Sequence, residues 1–283
     1  MVGKYGITED EVRNYQGLND QDIGEAPIQD FILQAEEEAE DITHQKWVPT
    51  QEIERKEGHP GKRLLMLDNR PVTQVLQVRR KEDESNFTDL DPNNLEIQNN
   101  NGRIVLTENA EENTWNTQGL QRNIIKYSYA DMNEDQTALT DTVSSNSSGD
   151  TVVEVEDSSL FSDDDYVKIH GIDGNEEIVQ VSSTTTGSPD TITVEELQID
   201  HTSGSSVVLM TPPETALNLI KVLASIRVAA YKIGGTQDFQ SSYNLGDLEV
   251  TKGEPYPPFK QLLPEFKNER DFLVNKLKSP VIK

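Results

Sequence analysis

Apolar residues recur at helical spacing in three stretches of the chain and at strand spacing between them. Near the start, Thr8 and Glu11 have the spacing of a capping box, which predicts a short helix to about Tyr15, stopped by Gly17. Pro27 stands where a first-turn proline belongs. Behind it Ile28, Phe31, Ile32, Ala35, Ala39 and Ile42 form one stripe, predicting a helix to about Trp47. Its Glu36, Glu37 and Glu38 read as a solvated flank rather than an acidic binding patch. Thr211 and Glu214 make a second capping box around a first-turn proline. The helix that follows carries Ala216, Leu217, Ile220, Leu223, Ala224, Arg227 and Tyr231 on one side and ends at Gly234 and Gly235. After a loop with Pro255, Pro257 and Pro258, a last helix is expected to begin near Pro264, with Phe266, Leu273 and Leu277 inward.

Between residues 62 and 130 the period shortens. Arg63 to Leu67 and Pro71 to Val78 are strand-like, the second alternating only loosely through Val72, Val75, Leu76 and Val78. Leu95–Gln98 and Arg103–Thr107 flank Asn99 to Gly102, a hairpin turn ending in Asn-Gly. Asn123–Tyr129 is one more strand. These elements predict a small sheet or a long hairpin arm. Residues 136–211 contain strands and turns only: Val152–Val155, Tyr166–Ile169, Glu177–Val181, Thr191–Val194 and Ser206–Met210. Five short strands with turn chemistry between them predict a small barrel or sandwich.

Charge sharpens this division. The 283 residues hold 51 acids and 25 Lys plus Arg, a net of −26. Residues 136–212 hold 15 acids and one base, Lys168, whereas residues 213–283 are net +2. Such shifts at both ends mark an inserted unit. The expected organisation is a core of residues 1–135 and 212–283 interrupted by an acidic β-domain of residues 136–211, expected to fold alone. The fold class expected is α+β: an α-helical core with a small β-hairpin or sheet, plus the inserted all-β domain.

The acidity also excludes functions. A pI near 4.4 opposes a chain that grips nucleic acid or an anionic membrane over its whole face. Carboxylates along every segment fit molar salt, where repulsion is screened within ~3 Å. Absence of cysteine rules out disulfides, thiolate zinc sites and cysteine catalysis. The longest apolar run, Leu217 to Tyr231, is broken by Lys221 and Arg227, so no membrane span is expected. Met1 to Asp10 lacks a signal pattern.

No catalytic constellation emerges, so no enzyme and no cofactor is expected. His44, His59, His170 and His201 share no metal-ligand spacing. His59 has turn neighbours, and His201 reads as a loop or packing residue. Asp163, Asp164, Asp165 and Asp173 are weak calcium candidates. They lack the EF-hand pattern and read as two acidic turns, so no metal is expected.

The order of elements resembles the head–tail adaptor (connector) proteins of tailed viruses. The resemblance rests on Ile7 to Val12, the amphipathic helix, and Leu67 to Val78 with its Pro-Val and spaced valines. It continues through the hairpin around Gly102, the Tyr127-Ser-Tyr129-Ala130 strand end, and the Pro-led helix from Pro212 to Tyr231. It covers residues 5–135 and 212–283 and departs at the insert. It implies a structural virion protein at the head–tail junction, made in host cytoplasm, that assembles as a homo-oligomeric ring, commonly of twelve. The partners implied are the portal protein above and a tail or neck protein below, with genomic DNA passing an acidic lumen without specific binding and no membrane involved. The acidity suggests a virus of a halophilic archaeon. The alternatives are a tail-completion, tail-terminator or baseplate component, or a halophile's cell-surface adhesion protein. In the resembling family the C-terminal tail docks on the portal. Here Lys260, Phe266, Lys267, Arg270, Phe272, Leu273, Lys276, Leu277 and Lys278 would do so, behind a tether of Pro255, Pro257 and Pro258.

Overall fold

The computed structural model describes residues 4–16, 25–57, 62–81, 87–91, 94–98, 102–106, 115, 123–171, 176–234, 242–245, 248–251 and 257–278. Gly17, His59, residues 99–101, Asp173, Gly235 and Pro255, all singled out above, lie outside them. The described residues form fifteen strands and four α-helices. That corrects the α-helical core expected with a small sheet: the chain is α+β with strand in excess, and most of the described residues between 46 and 135 are sheet. The chain divides into two compact units, Met1–Gln45 with Pro212–Lys283, and Lys46–Thr211. The division thus falls at Gln45, and residues 46–135, grouped above with the helices, lie with the inserted strands.

The helical unit contains α1 (Glu9–Gln16), α2 (Glu25–Thr43), α3 (Glu214–Gly234) and α4 (Pro257–Lys278). The first capping box forms: Thr8 N donates to the Glu11 carboxylate at 2.9 Å, and Glu11 N donates to Thr8 Oγ1 at 3.3 Å. The α2 stripe buries Ile28, Ile32, Ala35 and Ala39, and α3 buries Leu219, Ile220, Leu223 and Ala224. Arg227 leaves the apolar side assigned to it and donates to Glu38 at 2.6 Å and Gln34 at 2.9 Å on α2. Glu36 is no solvated flank. It is buried, accepting from Lys4 N at 3.0 Å and Tyr5 N at 3.2 Å. Burial pushes its carboxyl above the ordinary value, although those donors and the Lys4 charge pull part of the way back. Helix α4 begins at Pro257, so Pro257 and Pro258 occupy its first turn rather than a tether, and Pro264 lies inside it. No described helix is long and apolar enough to cross a membrane.

The strand unit begins with two small sheets. One has the order β1 (Thr50–Lys56), β7 (Asn123–Tyr129), β3 (Val72–Lys81), β4 (Phe87–Leu90); the other β2 (Leu64–Met66), β6 (Arg103–Leu106), β5 (Leu95–Gln98). They share one core, including Leu65, Ile104, Leu106, Ile125, Tyr127 and Trp115, whose Nε1 donates to Arg63 O at 2.7 Å. Gly102 opens β6 at φ 62°, and an added Cβ would meet Leu67 O at 3.2 Å, so only glycine suits the turn. The loose alternation in β3 has a cause. Its register against β7 shifts between Val72 and Gln74 and again between Val75 and Gln77. These two bulges put Val72, Val75 and Val78 on the core face at a spacing of three and turn Gln74 to the opposite face.

The remaining strands close into a barrel. Their order is β8 (Asn133–Asp141), β13 (Ser206–Thr211), β10 (Tyr166–His170), β11 (Glu176–Thr185), β12 (Asp190–Val194), β9 (Val152–Val155). The two ends of this sheet meet where Thr142 pairs with Val155, Val143 N donates to Glu154 O at 2.9 Å and Glu156 N donates to Asp141 O at 3.1 Å. Closure removes the free edges. Inward valines and isoleucines, among them Val153, Val167, Ile169, Val179, Val181 and Ile192, fill the interior with Phe161 and Leu197. Burying each such side chain contributes roughly 1.5–3 kcal/mol before entropy is subtracted. A last hairpin, β14 (Ser242–Leu245) with β15 (Leu248–Thr251), belongs to the helical unit.

At one end of β11 the barrel holds a carboxylate at 0% exposure, Glu177. It accepts from Gln74 Nε2 at 2.8 Å, Gln198 N at 3.0 Å, Ile199 N at 3.4 Å and His201 Nε2 at 2.8 Å. Gln74 thus joins β3 to the barrel. Glu177→Gln turns half of this all-acceptor group into a donor, so the variant should be less stable by about 2 kcal/mol or more. Urea unfolding at fixed salt measures this, and an unchanged midpoint would contradict it.

Candidate functional site

The C-terminal residues expected to dock divide between two faces of α4. Phe266 and Leu273 are buried within the helical unit, and the Phe266 ring lies 6.2 Å from that of Tyr15. Burial, and then the Glu269 carboxylate, push the Tyr15 hydroxyl above its ordinary value. Leu277 is half-buried, its carbonyl accepting from Gln45 Nε2 at 3.2 Å. These three side chains serve the protein's own packing. Phe272 is 65% exposed, and Lys267, Lys276 and Lys278 are exposed with it. Arg270 is half-buried and donates to Asp271 at 2.7 Å. Lys260 lies in α4, and its side chain lies outside the described residues. The outward part of α4 therefore carries Phe272 among Glu265, Glu269 and Asp271 and ends in a basic C-terminal turn, where cations also complement the helix dipole.

Asp163, Asp164 and Asp165 serve the turn before β10. Asp165 accepts from Ser162 N at 2.8 Å, and Asp164 takes φ 72°, a conformation Asp tolerates. Among the described residues no group of three His, Asp or Glu side chains is gathered for a cation.

Two charged clusters lay beyond the sequence reading. Of the two readings given to His201, loop or packing residue, the second holds. His201 is buried in the Glu177 network, and its backbone exchanges hydrogen bonds with Asn146 at 2.9 and 2.8 Å. The second cluster lies on the barrel exterior. Lys168 Nζ meets Glu134 at 3.2 Å and Glu176 at 2.7 Å, while His170 puts Nε2 3.0 Å from Glu134 and Nδ1 2.8 Å from Glu176. Alternation along β10 places Lys168 and His170 on the same face, so this pair was legible; that Glu134 would face them from β8 was not. Neither cluster presents an open nucleophile: one is sealed, and in the other Lys168 and the His170 ring are matched by two carboxylates.

No family model matches the chain, and the search of curated proteins found no relative.

Two predictions follow from these placements. Phe266→Ala should destabilise the protein by about 3 kcal/mol or more, whereas Phe272→Ala should stay within about 0.5 kcal/mol of wild type. Chemical denaturation of both variants checks the split; equal losses would contradict it. The second concerns pH. Burial pushes the Glu134 carboxyl up, but Lys168 and His170 more than offset this, so it lies below the ordinary carboxylate value. A depressed carboxyl contributes stability above its unfolded pKa and loses it as pH falls through the folded one. Glu134→Gln should therefore melt below wild type at neutral pH, and the gap should close in acid. A gap that persists or widens there would show that the Lys168 and His170 contacts do not depress it.

Proposed function

We propose that the chain is a structural virion protein, a head–tail adaptor that assembles as a homo-oligomeric ring beneath the portal and joins the capsid to a tail or neck protein. The observation that carries the reading is the order and division of the elements. Helices from both ends of the chain, α1 and α2 with α3 and α4, form one unit, and the strands with the Pro-Val segment, the hairpin and the Tyr-x-Tyr end precede the barrel. The reading needs no reaction. Its work is complementary surface around a channel that genomic DNA must traverse, and a net charge of −26 suits that task. A basic lumen would hold DNA through counterion release; an acidic one leaves it mobile. The same charge favours a salt-rich setting, such as a virus of a halophilic archaeon.

Negative-stain imaging and mass measurement of the purified full chain at molar salt test the assembly. A closed ring, expected at about twelve copies, supports the reading, and a monomer at every concentration overturns it. The melting temperature should rise as salt goes from dilute to molar. Indifference to salt would remove the halophilic part of the proposal.

A further inference from the structure

The seam that closes the barrel carries an outward apolar spot. Alternation along β8 and the residue after its bridge sends Leu139, Asp141 and Val143 outward, while Thr140 and Thr142 are buried. On the facing side Val152, Glu154 and Glu156 point outward, while Val153 and Val155 fill the core. The Thr142–Val155 bridge makes the two rows neighbours. Leu139 is 44% exposed, and Val143 and Val152 are each 48% exposed. Val143 and Val152 are diagonal neighbours across the seam, with Leu139 four residues before Val143. An outward sheet face normally carries polar side chains, so that pair is the part in want of a cover. Asp141, Glu154 and Glu156 stand between and beside them, which restricts that cover to something apolar at its centre and basic at its rim.

The chain itself presents such a surface. On α4, Phe272 is 65% exposed; Glu269 stands one turn before it and Lys276 one turn after it on the same side. Lys278 lies in the last turn, so the basic end of this face lies C-terminal to the ring. We propose that this outward face of α4 docks on the barrel seam of a second copy of the chain. Phe272 is the anchor over Val143 and Val152, and Lys276 and Lys278 face the seam carboxylates. Aromatic anchors in an apolar spot carry most of the affinity of such contacts. In molar salt charges act only at close range, so the basic rim sets orientation while the ring supplies affinity. The two patches differ, so the contact is head-to-tail, the kind that generates a ring when its rotation closes. The inference rests on the ring reading above and names the surface that builds it.

The test is assembly of the full chain, followed by sedimentation velocity over a protein and salt series. Phe272→Asp and Val143→Asp alter exposed positions, so each should keep the wild-type melting temperature. Each should also raise the concentration for half-assembly about tenfold or more. At moderate salt, Lys276→Glu with Lys278→Glu should weaken assembly, and adding Glu154→Lys with Glu156→Lys in the same chain should restore it. If wild type forms a ring that none of these changes affects, the inference fails while the adaptor reading stands. Association that is lost in these variants but never closes into a ring keeps the inference and sinks the adaptor reading. A wild-type chain that stays monomeric throughout overturns both.

Discussion

One carboxylate organises the larger half of this protein. Glu177 sits at zero exposure at the end of β11, where an isolated charge would cost several kcal/mol or more. It is tolerated because four donors from two separate segments converge on it: Gln74 from β3, and the backbone of Gln198 and Ile199 with the ring of His201 from the stretch after β12. Each hydrogen bond to a charged group is worth about 1.5–3 kcal/mol. The segment after β12 is thereby folded over the end of the barrel, and β3 of the neighbouring sheet is fastened to it. Remove the charge and four donors lose their common partner.

The bulges in β3 exist in relation to this contact. A regular strand would place Val72, Gln74 and Leu76 on one face, which would put the glutamine in the core or the valines outside it. Two register shifts let three valines pack inward and leave Gln74 buried on the other side, aimed at Glu177. Polar satisfaction and core packing are thus solved by the same irregularity. Lys46–Thr211 forms a single compact unit, with Gln74 to Glu177 a side-chain hydrogen bond between the two small sheets and the barrel.

What was legible in the sequence depended on how much apolar signal each element carries. The α2 stripe, the start of α3 and the five strands of the insert were read close to where they lie, because burial imposes their periods. The capping box expected at Thr211 did not form, since Thr211 ends β13 and α3 begins at Glu214. Strands β1 and β8 were not. Their sequences, TQEIERK and NEDQTALTD, present almost no alternation, and backbone pairing to β7 and β13 holds them. Missing these two made the sheet look small and the helices look dominant. The start of α4 was misplaced because prolines suit a first helical turn as well as a tether, and composition cannot separate the two. Of the docking residues, the amphipathic period identified Phe266, Leu273 and Leu277 as inward and left Phe272 for the surface. The Glu177 network gave no local sign, since its members are 103 and 24 residues apart.

A compact strand unit and a helical unit built from residues 1–45 and 212–283 are the parts with which the proposed assembly would work. If the Gln74–Glu177 contact joins the two small sheets to the barrel, they unfold together. Both tryptophans, Trp47 and Trp115, are buried in the part before the barrel, which has none. The direct measurement is urea unfolding at molar salt, following tryptophan fluorescence and, on the same samples, amide exchange in β10, β11 and β13. The account predicts one shared midpoint. Barrel amides that stay protected after the tryptophan signal is lost, or open before it, would contradict it.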